Sequence, residues 1–270
     1  MLRIFKKLKT IWWRTKSLLA MYYYGYPSKK LKVIGVTGTN GKTTTATLLY
    51  RIASQLGHKS GLISTVEILI GDEKNIVPHN ERGPGTTPDS ITLTKIMHKM
   101  VKAGCEYVFM EVSSHALDQG RVKWVNFAGA IFTNLTHDHL DYHKDFDSYF
   151  KAKKKLFEML PPTSFALSNM DDGYGLPMTE DIKAKVSMYG FGENTEILDF
   201  YGRLMGIDFK GLYLDINGEE MHVNLLGKFN AYNILAVWGA SQLLGFDMVK
   251  VENILGDIKP PRGRFEHFTN

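Results

Sequence analysis

Two hydrophobic rhythms alternate along this chain, short unbroken apolar runs and stripes with helical spacing. Val33, Ile34 and Val36 read as a buried strand, and a helical stripe follows from Thr43 to about Leu56. A second strand is expected over residues 60–67, with a hairpin turn at Gly71-Asp72. Thr86-Thr87-Pro88-Asp89 then reads as a helix start, with Thr87 as N-cap and Pro88 in the first helical position, and that helix ends near Gly104. Residues 106–112 and 128–135 form further apolar runs. Phe146, Tyr149, Phe150, Phe157 and Leu160 trace the apolar face of another helix, and residues 165–169 and 186–189 add strands. From there the pattern changes. Residues 204–209, 212–216 and 221–226 alternate around an Asn217-Gly218 turn, which predicts a small antiparallel sheet. Helical stripes over 230–244 and 248–258 follow. Strands alternating with helices predict an α/β fold: a mostly parallel sheet with flanking helices, plus that small antiparallel sheet.

The first thirty residues obey a different rule. On a helical wheel Met1, Ile4, Leu8, Ile11, Leu18 and Tyr22 share one face, flanked by Phe5, Trp12 and Leu19. Eight Lys/Arg and no acid occur in residues 1–30; subtracting them from the net charge of +5 leaves −3 on the remainder. The basic character therefore belongs to a tail, which argues against a nucleic-acid-binding body. The tail cannot span a bilayer, because Arg14 and Lys16 interrupt it and the uncharged run 17–26 is too short. Nor does a small-residue cleavage site follow it. Either residues 1–26 lie on an anionic membrane surface, with Trp and Tyr at headgroup depth, or they dock on protein. A single cysteine, Cys105, excludes an internal disulfide and fits a reducing, cytoplasmic compartment; the first alternative for the tail would place the chain peripherally at the inner membrane surface.

The chemistry concentrates in the stretch Lys32-Val-Ile-Gly-Val-Thr-Gly-Thr-Asn-Gly-Lys-Thr-Thr-Thr45. Strand, glycine-rich turn and helix N-terminus together cradle phosphate, because backbone N–H groups and the helix dipole converge on the anion. Lys42 adds a point charge and the Thr43 hydroxyl a magnesium ligand. Val36 occupies the place where the usual phosphate loop has its first glycine, and the competing reading is an ordinary glycine-rich βα turn. Glu111, at the carboxyl end of a strand, suits a magnesium ligand or a water orienter, or is simply solvated. Thr136-His-Asp-His-Leu-Asp-Tyr-His143 crowds three histidines and two aspartates at the end of another strand. Such strand ends carry the sites of open α/β sheets, and the alternative is a merely polar loop. Lys153 falls inside the apolar stripe of its helix, where it must snorkel, pair or lose its charge.

With these motifs in view, residues 32–268 resemble the central ATP-binding domain of the Mur ligases of peptidoglycan synthesis, in particular the MurE type. Thr37-Gly-Thr-Asn-Gly-Lys-Thr-Thr-Thr45 is similar to that family's short phosphate loop, shared with folylpolyglutamate and cyanophycin synthetases. Glu111-Val-Ser-Ser-His-Ala-Leu117 with Gln119 and Arg121 resembles the MurE type more narrowly, as does Asn134-Leu-Thr-His-Asp-His-Leu-Asp-Tyr-His143 followed by Tyr149, Ala152 and Lys153. The resemblance implies ATP-dependent joining of an amino acid to UDP-N-acetylmuramoyl-dipeptide through an acyl phosphate, with ATP and Mg2+. Gly38, Thr39, Asn40, Gly41, Lys42, Thr43 and Thr44 would cradle the nucleotide, with Asn233 near the adenine and Arg264 near the phosphates. Thr43, Glu111, His139 and Lys153 would hold metal, Lys153 as a carbamylated lysine. Lys42, Lys153 and His139 form the implied catalytic set, and Thr86, Thr87, Ser113, Gln119 and Arg121 the implied muramoyl-peptide contacts.

Three parts are expected on this basis: a basic amphipathic segment 1–30, the Mur ligase central domain 31–260, and 261–270 as the start of a linker. On this reading the segment is expected to stand in place of the family's N-terminal UDP-binding domain, and the C-terminal domain is expected to come from elsewhere, including a separate chain, for full ligation. Two other readings remain open, a stand-alone ATPase or nucleotide switch and a non-catalytic, membrane-associated partner of cell-wall assembly.

Overall fold

The computed structural model describes residues 15 and 17–258, apart from 84, 137–139, 144 and 193–194. Its strands are β1 (Lys32–Thr37), β2 (Ser60–Ile63), β3 (Ile68–Ile76), β4 (Tyr107–Glu111), β5 (Phe127–Phe132), β6 (Phe165–Asn169), β7 (Lys185–Gly190), β8 (Phe200–Asp208), β9 (Gly211–Ile216) and β10 (Glu219–Val223). They form one sheet in the order β10-β9-β8-β7-β6-β5-β1-β4-β2-β3. The block from β2 to β7 is parallel, and the sheet is antiparallel only at its two ends. The main helices are α1 (Lys42–Gln55), α2 (Ser90–Lys102), α3 (Ser114–Asp118), α4 (Phe146–Glu158), α5 (Lys228–Leu243) and α6 (Met248–Asp257).

Alternation along β1 sends Ile34 and Val36 to one face and Val33 to the other, so both faces must be covered. On the first face α1, α5 and α6 supply Leu48, Leu49, Ile52, Ile234, Leu235 and Leu255; on the second α2 and α4 supply Ile96, Met97, Met100, Leu156 and Phe157. The result is a three-layer α/β/α body. β1 lies between β4 and β5: the chain leaves it toward β2 on the β4 side, and the β4–β5 connection crosses to the other side. Open sheets place a binding crevice at such a switch, beyond the carboxyl ends of the strands.

The three strands expected as a small antiparallel sheet do pair antiparallel, and they extend the main sheet. Tyr189 pairs with Phe200 and Gly190 with Tyr201, a parallel junction that β9 and β10 then continue antiparallel. The Asn217-Gly218 turn has positive φ at both residues, 53° and 93°, as a primed hairpin turn demands. The β2–β3 turn, expected at Gly71-Asp72, lies earlier. Ser64 N donates to Glu67 O at 3.0 Å and Glu67 N to Ser64 Oγ at 3.0 Å, so a serine side chain closes it. Gly71 sits within β3, opposite Ser60. The cap of α2 is Asp89 rather than Thr87: its carboxylate accepts from Ile91 N (3.0 Å) and Thr92 N (3.2 Å). Thr87 is thereby left for the site. β5 ends at Phe132, short of the expected 135, and residues 133–136 turn toward the phosphate loop.

Candidate active site

Two glycines let the loop between β1 and α1 fold tightly. Gly38 has φ 153° and Gly41, the residue before α1, φ 84°. A methyl group on Gly38 would sit 1.9 Å from Thr133 Oγ1, and one on Gly41 would sit 2.3 Å from Asn233 Oδ1. Asn233 itself is buried on α5, with Nδ2 donating to Asn230 Oδ1 at 2.9 Å. The first N–H groups of α1 have no acceptor within the helix and form, with the dipole, an anion-binding end. Thr43 and Thr44 are buried in that first turn.

Segment 133–136 braces the loop from the side. Thr39 N donates to Asn134 O (2.8 Å), Asn40 N to Asn134 Oδ1 (2.9 Å), and Asn134 Nδ2 returns a bond to Asn40 O (3.2 Å). Thr133 Oγ1 also donates to Asn40 O at 2.6 Å. The Thr39 hydroxyl accepts from Thr136 N at 2.9 Å and lies 3.2 Å from the Tyr149 hydroxyl. The bracing segment is in turn held by Asn169 Nδ2 on Thr133 O (2.8 Å) and by Asp172 Oδ2, which accepts from Leu135 N (2.8 Å).

Lys153 does not snorkel. It is 1% exposed, donates to Gly38 O at 2.7 Å and lies 4.4 Å from the centre of the Tyr149 ring. Lys42 curls over its own loop, donating to Gly38 O (2.9 Å) and Thr39 O (2.7 Å). The β1–β4 register pairs Val36 with Glu111, so the backbone of Glu111 lies next to the end of β1. Glu111 is buried at the end of β4, and accepts from Thr65 N at Oε1 (2.7 Å) and Thr65 Oγ1 at Oε2 (3.2 Å).

A second cluster adjoins the first through Glu111. Thr87 Oγ1 donates to Glu111 O (2.9 Å) and accepts from Ser113 N (3.1 Å), while Thr87 O accepts from Arg121 Nη1 (2.8 Å). Arg121 Nε donates to Gln119 Oε1 at 2.8 Å, and Thr86 is half-buried next to Thr87. Thr86, Thr87, Ser113, Gln119 and Arg121 thus form one polar rim. Burial opposes the charge of Asp118 below it, but Lys155 at 2.9 Å and the Tyr142 hydroxyl outweigh that and hold its pKa below the ordinary value. Of the histidine-rich stretch, His143 is buried with Nε2 2.9 Å from Ser114 Oγ, a packing role between α3 and the helices after β5. His139 and Arg264 lie outside the described residues. Among the described residues no group of three His, Cys, Asp or Glu is arranged to hold a metal ion.

The family model of the Mur ligase middle domain matches residues 36–241, which contain both clusters. The chain belongs to the Mur ligase family. It is 49% identical over 249 residues to the UDP-N-acetylmuramoyl-L-alanyl-D-glutamate--2,6-diaminopimelate ligase of Cytophaga hutchinsonii, covering 92% of this chain and 49% of that protein. It is 51% identical over 249 residues to the protein of the same name from Parabacteroides distasonis, with the same coverage. A solved structure of a UDP-N-acetylmuramoyl-L-alanyl-D-glutamate--2,6-diaminopimelate ligase superposes with TM-score 0.81 at 27% identity, covering 93% of this chain and 52% of that one. MurF from Acinetobacter baumannii shares the fold, with TM-score 0.74 at 19% identity over 94% of this chain and 52% of that one. The chain spans about half the length of the curated relatives it matches.

The site of this Mur ligase chain also uses residues that its motifs did not mark. Thr65 grips both oxygens of Glu111, and Thr133 supports Asn40 from beneath. Asn134 and Tyr149 stand in quoted motifs, yet their bracing of the loop follows only from the neighbouring positions of β1 and β5.

Proposed function

We propose that this chain is the ATP-binding core of an ADP-forming ligase that joins an amino acid to the terminal carboxylate of UDP-N-acetylmuramoyl-dipeptide. The observation that carries the reading is the convergence of Lys42 and Lys153 on Gly38 of the phosphate loop, with Glu111 at the end of the neighbouring strand. Gly38, Thr39, Asn40 and Gly41 would wrap the phosphates, with Lys42 moving from its own loop carbonyls onto the outer ones and Thr44 beneath them. Asn233, against Gly41, would meet the nucleoside, and Arg264 the phosphates. Thr86, Thr87, Ser113, Gln119 and Arg121 would hold the muramoyl-peptide so that its carboxylate faces the γ-phosphate.

The residues present fit Mg2+. The Thr65 donors take two of the roughly four acceptor positions of the Glu111 carboxylate, leaving oxygen lone pairs of the type this ion prefers. Thr43, Glu111, His139 and Lys153 would hold it, and when bound it neutralises phosphate charge. Lys153 would take part as a carbamate. The lone pair of its neutral Nζ bonds to the carbon of CO2, one C=O π pair moves to oxygen, and a proton leaves to solvent. Counting the proton the ammonium gives up first to become the neutral amine, two protons leave in all, and a cation becomes an anionic oxygen ligand. Catalysis rests on position and charge: carboxylate oxygen attacks the γ-phosphorus as ADP leaves, then the neutral amine attacks the acyl carbon as phosphate leaves and carries off the proton the nitrogen gives up.

The relatives' names make 2,6-diaminopimelate the first amine to test. The assay measures ADP release with UDP-N-acetylmuramoyl-dipeptide and a panel of amino acids, with nucleotide binding measured in parallel. Muramoyl-peptide-dependent ADP release supports the reading. Hydrolysis of ATP indifferent to muramoyl-peptide would point to a nucleotide switch, and failure to bind ATP would sink the proposal.

A further inference from the structure

The described end of the basic tail is a helix with two unlike sides. Residues 17–23 are helical, and Ser17 and Met21 are each 3% exposed. Met21 Sδ lies 3.2 Å from Thr94 Oγ1, and His98 Nδ1 donates to Tyr24 O at 3.2 Å, so the segment is seated along α2 and runs in its direction. Gly25 and Tyr26, with φ of 68° and 51°, then reverse the chain, and Ser28 Oγ accepts from Asn126 N at 3.2 Å before β1 begins. The seat is therefore fixed at both ends. On the other side Leu18, Leu19, Tyr22 and Tyr23 are 39%, 61%, 74% and 82% exposed. Spacings of one, three, four and five residues place these four on one contiguous outward stripe. Leu18 and Tyr22, the two described members of the apolar wheel face, are thus turned away from the protein's own body.

We infer that the Leu18–Leu19–Tyr22–Tyr23 stripe is the surface by which this chain lies on an anionic lipid bilayer. The occupant is argued from charge and shape. Eight Lys/Arg without a single acid in residues 1–30 complement a negative surface, and exposed Lys29 and Lys30 sit just beyond the stripe. The stripe is a convex ridge of two leucines and two tyrosines, the composition of a helix resting at headgroup depth. A ridge of this kind fits a planar interface. Among the described residues no helix is long and apolar enough to cross a membrane, so contact is at the surface. Because the segment runs alongside α2, its upstream end points toward Ser90 and hence toward the Thr87 rim. The inference stands independently of the ligase reading, since it uses none of the site residues.

The test is co-sedimentation of the full 270-residue chain with vesicles of phosphatidylcholine alone and of equimolar phosphatidylcholine and phosphatidylglycerol. Binding is expected to be at least about tenfold stronger to the anionic vesicles and to weaken with added salt. The double variant Leu18→Glu, Leu19→Glu should lose at least about tenfold of that binding, because it removes apolar area and adds negative charge. Both positions are exposed, so its melting temperature and its nucleotide binding should match the parent's. No binding to anionic vesicles, equal binding to both vesicle types, or full binding by the double variant would each overturn the inference. A chain that ignores lipid but is retained by another protein would overturn it equally.

Discussion

Lys42 and Lys153 donate to one acceptor: their ammonium nitrogens lie 2.9 and 2.7 Å from the carbonyl oxygen of Gly38. One comes from the first residue of α1 and the other from the buried face of α4, so the fold itself brings two cations to the mouth of the phosphate loop. Two ammonium groups that share one carbonyl repel each other, although Lys42 also donates to Thr39 O. The arrangement is complementary to a polyphosphate. Under the proposed carbamate role, turning Lys153 into an anion would remove that repulsion and supply a metal ligand.

Lys42→Ala should remove the mobile member of this pair. A charge-assisted contact to phosphate contributes about 2 kcal/mol, so nucleotide affinity should fall at least about thirty-fold. Thermal unfolding should change little, because Lys42 is only half-buried and bonds to its own loop. Equilibrium titration with a fluorescent ATP analogue decides it, and unchanged affinity in a folded variant would refute the role.

Gly41→Ala should damage both stability and binding. The φ of 84° strains any other residue by about 1–2 kcal/mol, and the added methyl would meet Asn233 Oδ1 at 2.3 Å. Either the loop or α5 must shift. A melting temperature several degrees lower, together with lost nucleotide binding, is expected. Normal values for both would show that the loop is not held as tightly as its contacts imply.

The phosphate loop was legible because each of its levels agrees locally: apolar strand, permissive glycines, helix start. Lys153 was legible for the opposite reason, as a charge that breaks an apolar stripe. The errors came where two local signals competed. Pro88 suggested a first helical position and so promoted Thr87 to the cap, but Asp89 offers the better acceptor for Ile91 N and Thr92 N. Gly71-Asp72 is a turn dipeptide by composition, yet Ser64 and Glu67 make the turn and Gly71 extends the strand. Thr65, Thr133 and the bracing role of Asn134 were not legible. Their functions exist only once β2 and β5 lie near β1 and β4, and no local pattern encodes that register.

Beside the polar rim around Thr87, Asp118 gives a pH test. Its pKa is held down in the folded state by Lys155 and Tyr142, against the effect of burial. A depressed carboxylate pKa adds stability that is present above the unfolded value near 3.9 and is lost as pH falls through the folded value. The pair is partly exposed, so the gain should lie within about 0–1 kcal/mol. Lys155→Met should therefore lower the melting temperature slightly at pH near 7, and the difference from the parent should vanish in strong acid. A difference that persists or grows in acid would place the effect in packing rather than in the ion pair.

Lys153→Met separates architecture from chemistry at the same position. The substitution keeps an unbranched apolar stem of similar length and removes the ammonium. Buried charges replaced by apolar side chains of similar volume often leave stability unchanged or improved, by about 1–4 kcal/mol where a desolvated ion is removed. Here the variant also gives up the bond to Gly38 O, so a melting temperature at or above the parent's is expected only if desolvation outweighs that contact. Muramoyl-peptide-dependent ADP release should be lost regardless, since methionine can neither donate to the loop nor become a carbamate. Lys153→Ala opens a cavity on α4 that a short carboxylic acid can enter, and the proposed carbamate role expects such an acid to restore part of the activity. Labelled carbon dioxide gives a second readout: a carbamate carbon resonance should appear in the parent and be absent from both variants. A stable, folded Lys153→Met chain with full activity would show that Lys153 is only a tether for Gly38.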